Sequence, residues 1–140
     1  MHRQAGFPLS VFAFVIAVLI ASPLAAHHGT PINYTNGDLT TVKATVTGFD
    51  FKNPHVALFF DTTDKGGKVT HWSGEMASPS VYLRDGWTKK RSEGALKPGT
   101  MITISYLQSK AQESLPPGIG AALVVRIRDE KNERVLLDRR

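Results

Sequence analysis

The stretch HVALFFDTTDKGGKVTHWSGE, His55–Glu75, decides the fold. It holds two runs rich in β-branched and aromatic residues, which predict strands over 55–62 and 68–75. Between them, Asp64-Lys65-Gly66-Gly67 is typical of a tight turn, because glycines accept positive φ angles. The stretch therefore predicts a β-hairpin. A two-residue turn, with Asp64 opposite Gly67, would place Phe60 opposite His71.

Further strand patterns lie on both sides of the hairpin. Four are predicted: 40–51, 101–107, 121–128 and the short 134–137. Ser78-Pro79 predicts the start of a short helix that ends at Gly86, followed by a loop with Lys89-Lys90-Arg91. The order β-β-β-α-β-β, plus a short C-terminal strand, predicts an all-β, OB-like small barrel, closed or partly open. A generic small barrel or a two-layer α+β sheet is the alternative.

The N-terminal segment predicts export. Arg3 precedes an apolar run over 11–20, and a small-residue stretch ends at Ala26, as in a signal peptide that is cleaved there. An uncleaved anchor is the alternative. Residues 27–39 are polar and turn-rich and predict a flexible or loosely docked arm, so that the barrel domain occupies 40–140. We expect a periplasmic protein of a bacterial envelope, with no transmembrane span after cleavage.

Composition limits the chemistry that the chain can perform. The 140 residues include no cysteine, which excludes disulfides and thiolate metal sites. The formal net charge of +5 is mild and does not predict a nucleic-acid partner. Arg84 and Lys89-Lys90-Arg91 predict a solvated basic face, or else a patch for lipid or polyanion. Weak contact with an anionic envelope surface is therefore expected.

Histidines are the best candidates for a metal site. Cleavage after Ala26 would expose His27, with His28 behind it, and its free amine and imidazole could chelate one ion. Nitrogen ligands favour copper among the divalent first-row metals, with zinc second. His55 is the preferred additional ligand, which gives the candidate set His27, His28 and His55. A disordered polar terminus is the alternative.

A ligand site is predicted around the loop that precedes the hairpin. In OB-folds this loop and the one between strands four and five, here 108–120, flank the binding face. The candidate residues are Asn53, His55, Trp72 and Glu75. Each has a plainer alternative: His55 as a turn residue that caps the backbone, Trp72 as core, and Glu75 as a solvated strand end. Glu75 could also orient His55 from behind.

The predicted register separates His71 from this site. It places His71 on the face opposite to His55, about 16 Å away along the ribbon. The two imidazoles could not then share one ion, and His71 is expected to be the partner of Phe60. The sequence contains no nucleophile elbow, phosphate loop or HExxH motif, so enzyme activity is not expected.

These motifs together resemble a known family. His27-His28, Asn53-Pro54-His55, Trp72, Glu75, Ser78-Pro79, Gly86-Trp87 and Leu96-Lys97-Pro98-Gly99 are similar to the pattern HH…NPH…W..E..SP…GW…LKPGD. That pattern is typical of a family of small exported bacterial proteins of unknown function. The resemblance implies a periplasmic β-barrel domain and supplies no activity.

We therefore expect a non-enzymatic exported protein that binds copper or zinc through the mature N-terminal histidine and a loop histidine. The alternatives are an OB-type binder of a small envelope molecule or glycan fragment and a protein-interaction module, both without metal.

Overall fold

A computed structural model describes Tyr34, residues 39–131 and the backbone of residues 135–138. The predicted signal segment, His27 and His28 lie outside the described residues, as does the rest of the predicted arm apart from Tyr34 and Leu39. Across the described ranges, no helix has the length and hydropathy needed to span a bilayer.

Within the described residues, six strands and two short helices follow one another. They are β1 (Thr40–Asp50), β2 (Ala57–Thr63), β3 (Val69–Glu75), α1 (Pro79–Arg84), α2 (Lys89–Ala95), β4 (Met101–Gln108), β5 (Ile119–Asp129) and β6 (Val135–Asp138). A single 3-10 turn, Gln112–Ser114, lies between β4 and β5. The predicted order of strands is confirmed.

The strands close into a barrel. Their hydrogen-bonded order is β3-β2-β1-β4-β5, and β5 also pairs with β3. The β3–β5 pairing is parallel, whereas the other pairings are antiparallel. β6 adds to the second half of β5, outside the five-stranded ring. This is the predicted OB-like all-β fold.

Alternation along the strands fills the interior of the barrel. In β1, Ala44 and Val46 are buried, while Lys43 and Thr45 are not. The largest fully buried side chains are Phe60, Leu58, Met76, Leu96, Ile102, Ile104, Ile127, Val46, Val56 and Val124. Burial of each large apolar side chain favours folding by about 1.5–3 kcal/mol, so this interior accounts for much of the stability.

Aromatic rings pack together inside the barrel. Trp72 stacks on Phe60 with ring centroids 6.0 Å apart and lies 4.8 Å from the Tyr106 ring. Burial raises the pKa of the Tyr106 phenol above its ordinary value of 10.0. Gly120 lies against the Trp72 ring, so closely that a methyl group there would overlap it. The position therefore requires glycine.

The second helix, α2, was not predicted from the sequence. Lys89-Lys90-Arg91 was expected on a loop, but these residues form the first turn of α2. Thr88 caps the helix, since its Oγ1 accepts a hydrogen bond from the backbone nitrogen of Arg91 at 3.2 Å. The prediction of one helix was wrong because Thr88 was not considered as an N-cap.

The hairpin turn is one residue longer than predicted. Asp64 lies opposite Lys68, to whose carbonyl its backbone nitrogen donates at 3.0 Å. The Asp64 carboxylate accepts from the nitrogens of Gly66 and Lys68, and Gly67 has a φ of 82°. Three residues, not two, therefore form the loop, and Phe60 lies opposite Trp72. The predicted pairing of Phe60 with His71 was wrong.

Candidate functional site

His55 lies in the loop between β1 and β2. Pro54 has no amide hydrogen to donate to a ladder and separates His55 from β1; the Asn53–Pro54 peptide is cis. The next residue, Val56, is buried, and it exchanges backbone hydrogen bonds with Ala77 and Met76 at 3.0 and 2.9 Å. The loop is thereby fixed to the barrel. The His55 side chain is 45% exposed and points away from the core.

Glu75 holds the His55 ring. The two residues are 2.8 Å apart between His55 Nδ1 and Glu75 Oε1, and the Glu75 side chain is partly buried, at 29% exposure. An ionised carboxylate can only accept hydrogen bonds, so Nδ1 carries the proton. In the neutral ring the lone pair then lies on Nε2.

Tyr34 completes the site from a third part of the chain. Its hydroxyl donates to the other carboxylate oxygen, Glu75 Oε2, at 2.7 Å. The Tyr34 ring is buried, and its backbone forms an isolated antiparallel bridge with Ser109. Within the predicted arm, this residue is therefore docked on the barrel. We call His55, Glu75 and Tyr34 the His55 site.

A second imidazole–carboxylate pair lies on the same hairpin. His71 Nδ1 is 2.7 Å from Asp61 Oδ1, directly across the β2–β3 ladder. The His71 side chain is 64% exposed. Unlike the His55 site, this pair joins two residues that lie directly opposite each other on neighbouring strands.

The corrected register changes where His71 faces. Leu58, Phe60 and Trp72 point inward, so the alternate residues of both strands, including His71 and Glu75, point outward. The prediction that His71 and His55 lie on opposite faces was wrong. His71 is opposite Asp61, six residues along from His55, which corresponds to about 20 Å of strand. That is still too far for one ion to join them.

The other predicted ligand residues are less well placed. Trp72 is 9% exposed in the barrel interior, and its Nε1 donates to Thr62 Oγ1 at 2.9 Å. It packs the core on the face opposite to Glu75, and its ring is not an open stacking surface. Asn53 is exposed in the loop next to His55.

The loop of His55 and the last residues of the 108–120 loop lie at opposite ends of β3. The loop of His55 is beside Glu75 at one end, and at the other His71 donates its backbone nitrogen to Gly118 at 2.8 Å. Between these ends the outer face presents Phe59, which is 40% exposed, opposite Ser73. Ala121 of β5 continues the same row. This row lies between the two imidazole–carboxylate pairs.

No group of three or more histidine, cysteine or acidic side chains that could hold a metal ion is found among the residues that the structure describes. His55 with Glu75 is therefore at most part of a ligand set. His27 and His28, the other predicted metal ligands, are outside the described ranges.

Two residues around the two histidines were not predicted from the sequence: Tyr34, which bonds Glu75, and Asp61, which bonds His71. Tyr34 contacts a residue 41 positions away, a distance over which no local pattern operates. Asp61 was overlooked because the predicted register placed Phe60 opposite His71. The aromatic ring in an otherwise polar arm was the available signal for Tyr34.

Comparison with known proteins gives one assignment. No curated protein and no solved structure matches the chain. A family model for a family of unknown function, DUF6152, matches residues 15–115, which include the whole His55 site. The matched part extends from within the predicted leader to the loop after β4. The chain thus belongs to the DUF6152 family of unknown function.

Proposed function

We propose that the protein is an exported, non-enzymatic binding protein that holds one transition-metal ion, copper first and zinc second. The ligands are His55 Nε2 and the amine and imidazole of a mature N-terminal His27, with His28 available beside it. The observation that carries the proposal is the hydrogen bond from His55 Nδ1 to Glu75, whose second oxygen accepts from Tyr34.

The His55 site has the arrangement of a metal ligand and its support. Histidine ligands in metal sites usually donate their second ring nitrogen to a carboxylate, which fixes the tautomer and strengthens the donor. Glu75 does this for His55 and is itself held by Tyr34. The ring is therefore oriented before any ion binds, with Nε2 as the ring nitrogen that would bind it.

The position of Tyr34 brings the predicted N-terminus within reach. Tyr34 follows His27 by seven residues, and seven residues span at most about 25 Å. Because the Tyr34 hydroxyl touches Glu75, a chain that begins at His27 can return its amine to His55. The amine has an ordinary pKa near 8, so an ion displaces its proton at neutral pH with little cost.

Copper follows from the donor set. The proposed ligands are all nitrogens, and the chain has no cysteine to favour softer thiolate sites. Among divalent first-row ions such a set binds Cu(II) most strongly. Export places the site in a compartment outside the cytosol, and no motif in the sequence supplies a nucleophile with its base.

A Cu(II) titration tests this proposal. The protein processed to begin at His27 is compared with the same protein whose N-terminal amine is acetylated, which removes the amine as a ligand and keeps both imidazoles. We expect acetylation to weaken Cu(II) binding by at least about tenfold. Equal affinities would overturn the amine–imidazole chelate. Intact mass of the exported protein establishes the mature start in the same preparation.

The alternative function is an OB-type binder of a small envelope molecule or glycan fragment. The observation that favours it is Phe59, 40% exposed on the outer face between His55–Glu75 and His71–Asp61. An exposed ring between polar pairs suits a sugar, which offers both an apolar face and hydroxyl groups. Binding of a glycan fragment by metal-free protein, lost in Phe59→Ala, would favour this function. A protein-interaction module remains the third candidate.

A further inference from the structure

We infer that the turn between α1 and α2 is a docking surface for an anionic phospholipid membrane. The surface consists of Leu83, Arg84, Trp87, Lys90 and Arg91, and we call it the helical-turn surface. It is distinct from the His55 site, and the inference does not depend on metal binding.

Contacts around Gly86 join three of these residues, Leu83, Trp87 and Arg91. The Gly86 backbone nitrogen donates to the Leu83 carbonyl at 3.1 Å, and the Gly86 carbonyl accepts from Arg91 Nη1 at 3.1 Å. The Arg91 guanidinium in turn lies over the Trp87 ring, 4.1 Å from its centroid. The Leu83 backbone and the Arg91 guanidinium therefore bond to one exposed glycine, and the same guanidinium covers the Trp87 ring.

Leu83 is the apolar element of the surface. It is 52% exposed, the largest exposure among the large hydrophobic side chains that the structure describes. The Trp87 ring is half-buried and packs partly against the core. Leucine and tryptophan are the residues that enter the boundary between headgroups and acyl chains when a protein lies on a membrane.

Charge complementarity selects an anionic surface. Arg84, Lys90 and Arg91 are exposed. The nearby Glu93 is paired with Lys89 at 3.8 Å, which leaves Asp85 as the other acidic side chain of the turn. Basic residues beside an anionic bilayer each strengthen binding, and long basic side chains keep their charge at headgroup level while their stems cover apolar surface.

Vesicle binding tests the inference. The full chain is mixed with vesicles of phosphatidylcholine alone or of equal parts phosphatidylcholine and phosphatidylglycerol, and bound protein is measured by sedimentation. We expect binding to the anionic vesicles and its loss at high salt. Trp87 emission should shift to shorter wavelength on binding, while Trp72 is already buried in the barrel. Absence of binding, or equal binding to both vesicles, would overturn the inference.

Variants locate the surface. Lys90→Ser should weaken binding about fivefold, and Leu83→Ser about tenfold. The matched control is Lys65→Ser with Lys68→Ser, an exposed basic pair at the β2–β3 turn, which should leave binding unchanged. Thermal unfolding confirms that each variant folds.

Two results would contradict this location. One is a loss of vesicle binding in the control variant equal to that in Lys90→Ser. The other is binding to soluble polyglutamate without binding to the anionic vesicles, which would assign the basic residues to an acidic polymer instead of a membrane.

Discussion

The two faces of the β2–β3 hairpin carry different kinds of side chain: one forms part of the core, and the other carries the candidate site. The inner face presents Phe60 and Trp72, which pack with Tyr106 in the barrel core. The outer face presents Glu75 and His71 on the same strand. Because side chains alternate along a strand, a core and a candidate site share one hairpin without sharing a residue.

The outer face itself contains an informative contrast. Both imidazoles donate from Nδ1 to a carboxylate at nearly equal distances, 2.8 Å for His55 and 2.7 Å for His71. At the His55 site, however, the carboxylate is also bonded to Tyr34, and three separate parts of the chain meet. Both positions thus have an imidazole–carboxylate pair, whereas the additional hydrogen bond from Tyr34 is found at the His55 site.

The largest loss of stability is expected from a substitution on the inner face of the hairpin. Trp72→Ala should lower the free energy of unfolding by about 3–5 kcal/mol, since it removes a buried ring and leaves a cavity. Urea unfolding monitored by circular dichroism measures this. Cu(II) affinity of the folded variant should be unchanged. A folded variant with wild-type stability but weakened ligand binding would instead assign Trp72 to the site.

The next largest loss of stability distinguishes the two carboxylates of the outer face, Glu75 and Asp61. Glu75→Ala leaves the hydroxyl of the buried Tyr34 without its acceptor, and should lower the free energy of unfolding by about 1–3 kcal/mol. The Asp61 side chain is buried to the same extent, at 27% exposure, but its partner His71 is exposed, so Asp61→Ala should lower the free energy of unfolding by less than about 1 kcal/mol. Equal losses in the two variants would show that Tyr34 adds nothing to the His55 site.

Tyr34→Phe isolates the third member of the site. The ring and its burial are kept and the hydrogen bond to Glu75 is lost, so the expected cost is about 0.5–1.5 kcal/mol. Limited proteolysis should then cut more readily on the N-terminal side of the barrel. Wild-type stability together with wild-type proteolysis would contradict the anchoring role.

The smallest effect concerns a carboxylate that is paired with an ammonium group. Glu130 forms an ion pair with Lys43 and accepts from Thr103, and the hydrogen bond from Lys43 lowers its pKa from the ordinary value of 4.5. A lowered pKa in the folded state adds stability above the ordinary pKa, and this is lost as pH falls through the folded value.

Lys43→Met should therefore be less stable than the wild type at neutral pH, and the difference should disappear in acid below the lowered pKa. Urea unfolding at neutral and at strongly acidic pH measures it. A difference that persists unchanged in acid would show that Lys43 acts through packing instead of charge.

The sequence was sufficient for the barrel because its signals are local. The alternation in β1, the glycines after Asp64 and the Ser78-Pro79 helix start all act within a few residues. The predicted register of the hairpin was wrong because one extra loop residue turns every side chain of a strand to the other face. His71 was therefore assigned to the wrong face, and its partner Asp61 was not recognised.

The candidate site was predicted only in part. His55 and Glu75 were selected together, and the idea that Glu75 orients His55 agrees with their hydrogen bond. Tyr34 was missed because its contact with Glu75 joins residues 41 positions apart. Export, metal binding and the roles of His27 and His28 stay predictions.

The most direct test follows the imidazole nitrogens by nitrogen-15 NMR while Zn(II) is added to protein that begins at His27. We expect the Nε2 resonance of His55 to shift as Zn(II) is added, and both nitrogen resonances of His71 to stay unchanged. A shift at His71, or an unchanged His55 in the presence of bound Zn(II), would contradict the claim that Glu75 and Tyr34 prepare His55 as a metal ligand.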